Sequence, residues 1–523
     1  MYLRSGRFVP PWHRADPGEE RLLNSTTVSN ICSTVNENDW CPVSLAAMSR
    51  RLLAAVPALL LLVATVPAAH AASSVVNVSR RTTSQSEAAV AASPLDQNDV
   101  VIASNVQRGY GISLGVSHDG GRTWSRSILG TGNRFGLACC DASISWDASG
   151  NLFLAWLGYA DEAFPTVVTI LVSVDAGDTW SRLRRIDPPD LERRPRADDA
   201  PLQVRSAETA GRDEGEERGG FIDQPTIATG PHALWATWNN GGQMQAAGAR
   251  VHGLGDIGGF KPIRDIPDAF NCTFGDIAVG PGGALAQVCQ KDRRRTRPVT
   301  SVLRFAVDAD GLRPGRFGSG RVVARTNVSL FEPIRPQRSR TIDAEAGLVW
   351  ILHGPDRGSL VLLFTDERPD QSDDTNVYVK VSTDTGATWG SRIGVTTDAR
   401  SQFLPRLAID PATGHLVAGW HDASLDTGSG PFDTDGIANT DAMYALAFSV
   451  NGGSAWTTPQ MVSEGASNAA ASRNQIEFGD YTGLSFTFGV AHPAWADNSD
   501  STGDNPDGTL HGFDVYTSAV AET

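Results

Sequence analysis

The sequence predicts an all-β protein built from repeated β-units. One eight-residue turn signature occurs four times among the 523 residues, as SHDGGRTW at Ser117–Trp124, SVDAGDTW at Ser173–Trp180, STDTGATW at Ser382–Trp389 and SVNGGSAW at Ser449–Trp456. Each copy follows an alternating apolar run, the pattern of a strand that leads into a tight turn. A recurring strand–turn–strand unit buries its apolar face by packing against its neighbours, so the repeats predict an array of small sheets.

The shared pattern, S-x-D-x-G-x-T-W, has a chemical reason at each position. The Asp carboxylate accepts backbone N–H bonds and closes the turn, and the Gly provides a positive φ without a steric penalty. The Trp ring is expected to pack against a neighbouring unit. The fourth copy carries Asn451 and Ala455 in place of Asp and Thr, and Asn makes the same kind of turn.

This pattern resembles the Asp-box (BNR) repeat of sialidase-like β-propellers. The stretch FLPRLAIDPATGHLVAGWHD is also similar to secreted bacterial BNR-repeat proteins of exo-α-sialidase type. The resemblance implies a single β-propeller of four-stranded antiparallel blades. It also implies that the Asp-box turns join the third and fourth strands of a blade, away from the active site.

The strand rhythm predicts seven blades, with six as the alternative. The first six are expected at residues 86–130, 139–187, 221–268, 271–328, 340–397 and 402–463. The last stretch offers only three strands, so we expect Ser73–Arg81 to supply the fourth and close the ring, which removes a free sheet edge. Residues 187–220 are rich in charge, Pro and Gly and predict an insertion, either a solvated loop or a lid.

Upstream of the propeller domain at 72–523, residues 48–71 read as a signal peptide. Two arginines precede an apolar run that is too short to span a bilayer, and a small-residue site ends at Ala71. Residues 1–47 are interpreted as a start-site artefact or a disordered extension. We therefore expect secretion to the extracellular or periplasmic space. The net charge of −15 disfavours nucleic acid and anionic membranes as partners, and a monomer is expected.

Export to an oxidising compartment permits disulfide bonds. Cys272 and Cys289 flank a predicted hairpin with a Gly-Pro-Gly-Gly turn, which would place them opposite each other, so we predict that they are joined. Cys139 and Cys140 are adjacent in the chain and are predicted to be buried thiols.

Acidic residues recur where the first strand of a blade begins. They are Glu87, Asp141, Asp223, Asp276, Asp343 and Asp480. Two interpretations remain open. The acids form a carboxylate ring at the central channel, with perturbed pKa values, or each one binds backbone N–H groups of the next blade.

Four arginines precede or begin the same strands. They are Arg134, Arg340, Arg406 and Arg473. Any three of them are candidates to hold a substrate carboxylate, and the alternative is that they neutralise the acids.

The resemblance also implies catalytic roles. Sialidases use a Tyr nucleophile assisted by Glu, an Asp acid/base and three Arg that bind the substrate carboxylate. Tyr481 with Glu477 is the candidate nucleophile and base, and Asp141 or Asp223 is the candidate acid. The Phe/Tyr-Arg-Ile-Pro motif that precedes the first Asp box in sialidases does not occur in this sequence.

Two further features concern ligands. Trp420 and Trp495 end predicted second strands beside acids, where they would contact a sugar or fill gaps between blades. Asp497, Asp500, Asp504 and Asp507 lie in an oxygen-rich loop that suits Ca²⁺ or is simply a solvated surface loop. No other cofactor is expected.

These observations favour a secreted glycoside hydrolase of sialidase-like type that acts on glycans. The alternatives are a non-catalytic propeller that binds a glycan or protein, and a polysaccharide lyase. The charge of the pocket discriminates between substrates, because an anionic ligand requires arginines to outnumber acids, whereas excess acid favours a neutral or cationic ligand.

Overall fold

The computed structural model describes residues 74–107, 109–159, 165–187, 222–294, 296, 298–370, 372–472, 474 and 476–522. In these residues the regular structure is β-strand, apart from one 3₁₀ turn at Pro281–Gly283. The strands, in chain order, are β1 (Val76–Asn77), β2 (Ala89–Ala92), β3 (Val100–Asn105), β4 (Ile112–Ser117), β5 (Ser125–Leu129), β6 (Thr131–Asn133), β7 (Gly136–Trp146), β8 (Leu152–Tyr159), β9 (Pro165–Ser173), β10 (Ser181–Ile186), β11 (Ile222–Gly230), β12 (Ala233–Asn240), β13 (Gln243–Gly253), β14 (Asp256–Ile257), β15 (Arg264–Phe270), β16 (Thr273–Val279), β17 (Leu285–Arg293), β18 (Thr300–Asp308), β19 (Arg321–Thr326), β20 (Glu332–Ile334), β21 (Gln337–Ile342), β22 (Gly347–Trp350), β23 (Leu360–Glu367), β24 (Thr375–Ser382), β25 (Ile393–Gly394), β26 (Gln402–Ile409), β27 (Leu416–Asp422), β28 (Asp441–Ser449), β29 (Gln460–Met461), β30 (Ser467–Asn468), β31 (Gly483–Thr487), β32 (Val490–Asp497), β33 (Asp514–Thr517) and β34 (Val520–Ala521).

The described strands form seven antiparallel blades, which confirms the predicted architecture and blade number. Blades 1 to 7 comprise β2–β5, β6–β10, β11–β15, β16–β19, β22–β25, β26–β30 and β31–β34 with β1. The innermost strands contact one another in chain order, and β31 contacts β2, so the ring is closed. One extra hairpin, β20–β21, lies between blades 4 and 5 in the chain.

The N-terminal strand belongs to the last blade. Val76 pairs with Thr517 and Asn77 with Tyr516, so β1 becomes the outer neighbour of β33. Asp514 strengthens this junction by accepting hydrogen bonds from Asn77 (2.7 Å) and Ser79 (2.6 Å). A strand from the beginning of the described chain thus completes the blade formed by its end, as the sequence predicted.

The hydrophobic core lies between blades. Seven clusters of buried side chains each join two neighbouring blades, including blades 7 and 1. Trp420 and Trp495 belong to this core and are 0% and 1% exposed. Their indole N–H groups donate to Asp422 and Asp497 (2.8 and 3.0 Å). A sugar has no access to either ring, so the predicted sugar contact is wrong and the inter-blade role is correct.

The four S-x-D-x-G-x-T-W turns join the third and fourth strands of blades 1, 2, 5 and 6. In the copy at Ser382–Trp389, Asp384 accepts bonds from the Thr388 N–H (2.8 Å), the Thr388 hydroxyl (2.6 Å) and the Ser382 hydroxyl (2.8 Å). These bonds, those from Thr388 first, lower the pKa of Asp384 to about 2. In the fourth copy, Asn451 still accepts from Ser449 and Ala455.

The cysteines are bonded in two pairs. Cys272 and Cys289 form the predicted disulfide between the start of β16 and β17. Cys139 and Cys140 also form a disulfide, so the prediction of buried thiols is wrong. Strand β7 shifts register at Cys140, and this bulge lies directly beside the adjacent pair.

Several predictions fall outside the described residues. They are the upstream extension 1–47, the signal peptide 48–71 and nearly all of the insertion 187–220. In the part of the chain that the structure describes, no helix has the length and apolar character needed to cross a bilayer.

Candidate active site

Each blade begins its innermost strand with the same local irregularity. Seven equivalent residues lie at a β-bulge or two residues before the first paired residue of the strand; they are Glu87, Asp141, Gln224, Phe274, Glu345, Leu404 and Tyr481. We call this set the axial ring. All of its members except Tyr481 have a positive φ. Bulges redirect side chains, and five of the seven line a cavity on the propeller axis.

The six acids predicted to form a ring do not occupy equivalent positions in their blades. Glu87 and Asp141 belong to the axial ring, whereas Asp223 and Asp480 come one residue earlier in their blades. Asp276 comes two residues later and Asp343 two residues earlier. Sequence reasoning missed Glu345. A repeated acid–Ala–small pattern would have found it, because it occurs at Glu87–Ala89, Asp141–Ser143 and Glu345–Gly347.

The axial cavity has a volume of about 150 Å³ and is lined on its polar side by Asp141, Gln224, Glu345, Arg406 and Tyr481. An engineered protein cavity of about this size binds one benzene molecule. The axial cavity therefore accommodates a single ring-sized group. Because antiparallel strands alternate in direction, this end of the inner strands lies opposite the end that carries the S-x-D-x-G-x-T-W turns.

Asp141 of blade 2, which lines the cavity, and Asp223 of blade 3 form a hydrogen-bonded carboxyl pair. Burial, with the charges of Asp223 and Glu87, raises the pKa of Asp141 well above its ordinary value. Burial also raises the pKa of Asp223 to about 6, although bonds from Asp141 and the Gln224 N–H act against this rise. Burial and the neighbouring carboxylates thus favour the protonated form of Asp141, which donates a hydrogen bond to Asp223.

The hairpin β20–β21 connects blades 4 and 5 in sequence but packs against blades 6 and 7. Its Ile334 and Ile342 join a buried cluster with Phe403 and Phe478. Glu477 fixes β21, the second strand of the hairpin, because its carboxylate accepts hydrogen bonds from the N–H groups of Ser339 and Arg340 (3.0 and 3.1 Å). No hydrogen bond joins Glu477 to Tyr481 in the described residues, so the expected nucleophile–base pair is not formed.

The hairpin carries Arg340 to the axis. Its guanidinium donates to Asp480 (2.6 Å) and Glu87 (2.8 Å), on blades 7 and 1. Burial and the charge of Glu87 raise the pKa of Asp480 to about 7, against the lowering by Arg340. Arg340 therefore neutralises axial acids, as the structural interpretation of the arginines predicted.

Tyr481, Glu345 and Arg406 form the other side of the cavity. The Tyr481 hydroxyl and one Glu345 oxygen are buried without a hydrogen-bond partner among the described residues. Burial raises the pKa of both groups well above the ordinary value, and the charge of Arg406 lowers both. Arg406 lies 3.8 Å from Asp276, a long ion pair that leaves its side chain 32% exposed.

The remaining predicted arginines do not join this site. Arg134 donates to the Trp180 carbonyl (2.9 Å) and lies 4.6 Å from the centre of the Phe135 ring. Arg473 lies outside the described residues. Among the described predicted arginines, Arg340 and Arg406 reach the axial acids.

The four loop acids predicted to bind Ca²⁺ are engaged separately. Asp497 accepts from Trp495 and Ser499, Asp500 accepts from Asn505, and Asp504 pairs with Arg80 (2.5 Å). Their ligand atoms do not gather with those of Asp507. In the described ranges, one group of three acids has ligand atoms within 4.8 Å of one another, namely Asp426 and Asp433 in the loop between β27 and β28 and Asp441 at the start of β28.

Comparison with known proteins gives structural neighbours only. No protein-family model matches the chain, and no curated protein matches it. The α-L-arabinanase of Penicillium chrysogenum is 11% identical, with a TM-score of 0.42 over 72% of this chain and 98% of that chain. A protein of unknown function from Dyadobacter fermentans is 11% identical, with a TM-score of 0.44 over 86% of this chain and 98% of that chain. A Hadza microbial sialidase is 12% identical, with a TM-score of 0.40 over 81% of this chain and 73% of that chain. Similarity at this level carries no activity over to this chain.

Proposed function

We propose that the protein is a glycoside hydrolase that removes a terminal sugar from a neutral glycan in the axial cavity. The observation that carries this proposal is the Tyr481 hydroxyl, which is buried and has no hydrogen-bond partner among the described residues, in a cavity shared with Glu345, Arg406 and Asp141. A buried hydroxyl without a partner costs free energy, so its retention favours a role with a ligand. A cavity for one ring favours action at a chain end.

In the proposed reaction, the Tyr481 oxygen attacks the anomeric carbon and passes its proton to Glu345. The bond to the leaving oxygen breaks, and Asp141 gives that oxygen its proton. Water then attacks the anomeric carbon and gives a proton to Asp141, while the Tyr481 oxygen leaves and recovers its proton from Glu345. Two displacements retain the anomeric configuration.

Electrostatics support these roles. The raised pKa of Asp141 favours its protonated form, which is the form that a general acid needs. Burial raises the pKa of Glu345, and the charge of Arg406 acts against this rise; in the proposed reaction Arg406 favours the Glu345 carboxylate that accepts the proton and the developing Tyr481 phenolate. Glu345 lines the same cavity as Tyr481, whereas the Glu477 carboxylate is bound to backbone N–H groups, so we assign to Glu345 the role of base that was predicted for Glu477.

The balance of charge argues for a neutral substrate rather than a sialoside. Asp141 and Glu345 line the cavity, and the charges of Glu87, Asp223, Asp343 and Asp480 act on one or both of them. Arg340 and Arg406 are the predicted arginines that face them, and Arg340 is already paired. A substrate carboxylate would meet one available guanidinium instead of three. The Cys272–Cys289 disulfide supports our further proposal that the protein works outside the cytoplasm.

The test is a screen of the protein against neutral aryl glycosides and aryl sialosides, followed by Tyr481→Phe. We expect activity on a neutral glycoside with net retention by NMR. Tyr481→Phe should lower kcat by about 10²–10⁴-fold without lowering the melting temperature, because the lost hydroxyl has no partner. Net inversion, or full activity of Tyr481→Phe, would refute the nucleophile. Inactivity of the folded protein on the whole panel would favour the binding propeller.

A further inference from the structure

We propose that Phe331 forms a second sugar subsite at the cavity mouth, which holds the sugar ring on the leaving-group side of the scissile bond. This inference rests on the proposed hydrolase function and extends it to the substrate, which would contain at least two neutral sugar rings.

Phe331 continues the cavity wall to the surface. Phe274, a member of the axial ring, lines the cavity and is 6% exposed. The Phe331 ring packs edge-on against it, with centroids 5.4 Å apart and an interplanar angle of 75°. Phe331 itself is 56% exposed. One aromatic ring is thus in the wall, and the next presents its surface to solvent.

The backbone holds Phe331 in a costly position. Its φ is +58°, which is rare for a bulky residue and costs about 1–3 kcal/mol. Three successive N–H groups are held by carboxylates: Ser329 by Glu332 (2.6 Å), Leu330 by Asp292 (3.0 Å) and Phe331 by Asp343 (3.0 Å). The ring gains little burial in return, so its fixed exposure favours a binding role.

Phe488 shows the contrasting case. It is also an exposed phenylalanine, at 50%, with a φ of +55°. However, it forms with Gly489 the two-residue turn between β31 and β32, and such turns require positive φ at both positions. It lies at the opposite end of the inner strand from Tyr481. The geometry of Phe488 is explained by its hairpin, whereas that of Phe331 is not.

The chemistry of the mouth fits a neutral sugar ring. An aromatic face accepts the C–H face of a sugar, and nearby polar groups bind its hydroxyls. The hairpin that follows Phe331 carries Arg340, whose side chain is 37% exposed; it donates to Asp480 and Glu87 from Nε and Nη2, so Nη1 is the donor offered to a sugar hydroxyl. A glycan that enters the cavity by one terminal ring would place its second ring at this mouth.

The experiment compares two substrates of the same sugar. In a glycosyl fluoride the leaving group is fluoride, which occupies no sugar subsite, whereas a disaccharide fills both subsites. Lactose, maltose, cellobiose and arabinobiose serve as the disaccharide probes. For Phe331→Ala we expect kcat/KM for the hydrolysed disaccharide to fall about tenfold and that for the matching fluoride to stay unchanged. Phe331→Trp should keep the disaccharide activity.

Phe488→Ala is the matched control and should change neither rate. Phe331→Gly removes the ring and relieves the backbone strain, so it should lose the same disaccharide activity without a lower melting temperature. An equal fall for fluoride and disaccharide, or the same fall in Phe488→Ala, would overturn the subsite.

Failure of the hydrolase proposal itself is measured separately. If none of the disaccharides is cleaved, their binding to the protein and to Phe331→Ala is compared by calorimetry. Weaker binding to Phe331→Ala would support the subsite without catalysis. Equal binding, or none at all, would overturn it.

Discussion

The two ends of the propeller use aspartate in opposite ways. At the turn end, Asp384 lies in water and accepts three hydrogen bonds within its own turn, and its pKa falls to about 2. At the axial end, burial raises the pKa of Asp141 well above its ordinary value, and the Tyr481 hydroxyl in the same cavity has no hydrogen-bond partner in the part of the chain that the structure describes. One end satisfies its polar groups locally, whereas the other keeps protons and vacant hydrogen-bonding positions available.

The difference shows where the fold gains stability and where it gives stability up. Each S-x-D-x-G-x-T-W turn is completed by residues within eight positions, so it contributes wherever it occurs in the chain. The axial end gathers single residues from all seven blades, and six of the seven have a positive φ. Strain and unsatisfied polar groups of this kind persist at functional sites because the surrounding structure holds them.

The largest expected effect is a loss of activity on substitution of an acid at the axial end. Asp141→Asn cannot donate a proton, so kcat/KM on a glycoside with a poor leaving group should fall about 10²–10⁴-fold. On a dinitrophenyl glycoside, whose leaving group needs no proton, the loss of kcat/KM in Asp141→Asn should be far smaller. Steady-state kinetics on both substrates measure this ratio, and an equal loss on both would remove Asp141 from the role of acid.

A second prediction concerns the stability cost at the axial end. His421 lies one strand away from axial-ring residue Leu404 and pairs in register with Phe403. Both of its ring nitrogens are buried and have no hydrogen-bond partner within the described ranges. Burial lowers the pKa of His421 to about 3. Below pH 6.5 the unfolded chain binds a proton that the folded one refuses, so stability falls as pH falls from 6.5 towards 3.

Between pH 7 and 5, the free energy of unfolding should fall by about 2 kcal/mol because of His421. His421→Phe should abolish that part of the pH dependence, as measured by urea unfolding at the two pH values. Asp223 and Asp480, with raised pKa values of about 6 and 7, act in the opposite direction and remain in both proteins. The difference between wild type and variant therefore isolates His421. An unchanged pH dependence would contradict the prediction.

The smallest expected effect lies at the turn end. Asp175→Ala removes bonds from Ser173 and from the Thr179 N–H and hydroxyl, at an exposed position where water replaces them in part. We expect a loss of about 1 kcal/mol in the free energy of unfolding with unchanged kcat/KM. Lower activity of the folded Asp175→Ala variant would contradict the inference that the turn end contributes to stability and not to activity.

The reverse change sharpens the same point. Asn451→Asp with Ala455→Thr gives the fourth turn the hydroxyl–carboxylate bond that the other three contain. The gain should be about 0.5 kcal/mol, read as a rise in melting temperature. A fall in melting temperature would show that the fourth turn has a different requirement.

The sequence alone determined the features that depend on local or periodic patterns. The four turns, the seven blades, the strand from Ser73–Arg81 that completes the last blade and the Cys272–Cys289 bond each follow from residues near one another or from a fixed rhythm. The acid–Ala–small pattern also marks three positions of the axial ring in the sequence.

Only the tertiary structure decided which of these residues meet. Arg340 reaches Glu87 across 253 residues of sequence, because closing the ring and folding the β20–β21 hairpin over blades 6 and 7 bring them together. The same packing binds Glu477 to backbone N–H groups, brings Glu345 and Tyr481 to one cavity and buries Trp420 and Trp495 between blades. A shift of one or two residues at each bulge sets the level of a side chain on the axis, and that level depends on contacts between blades rather than on the strand's own sequence.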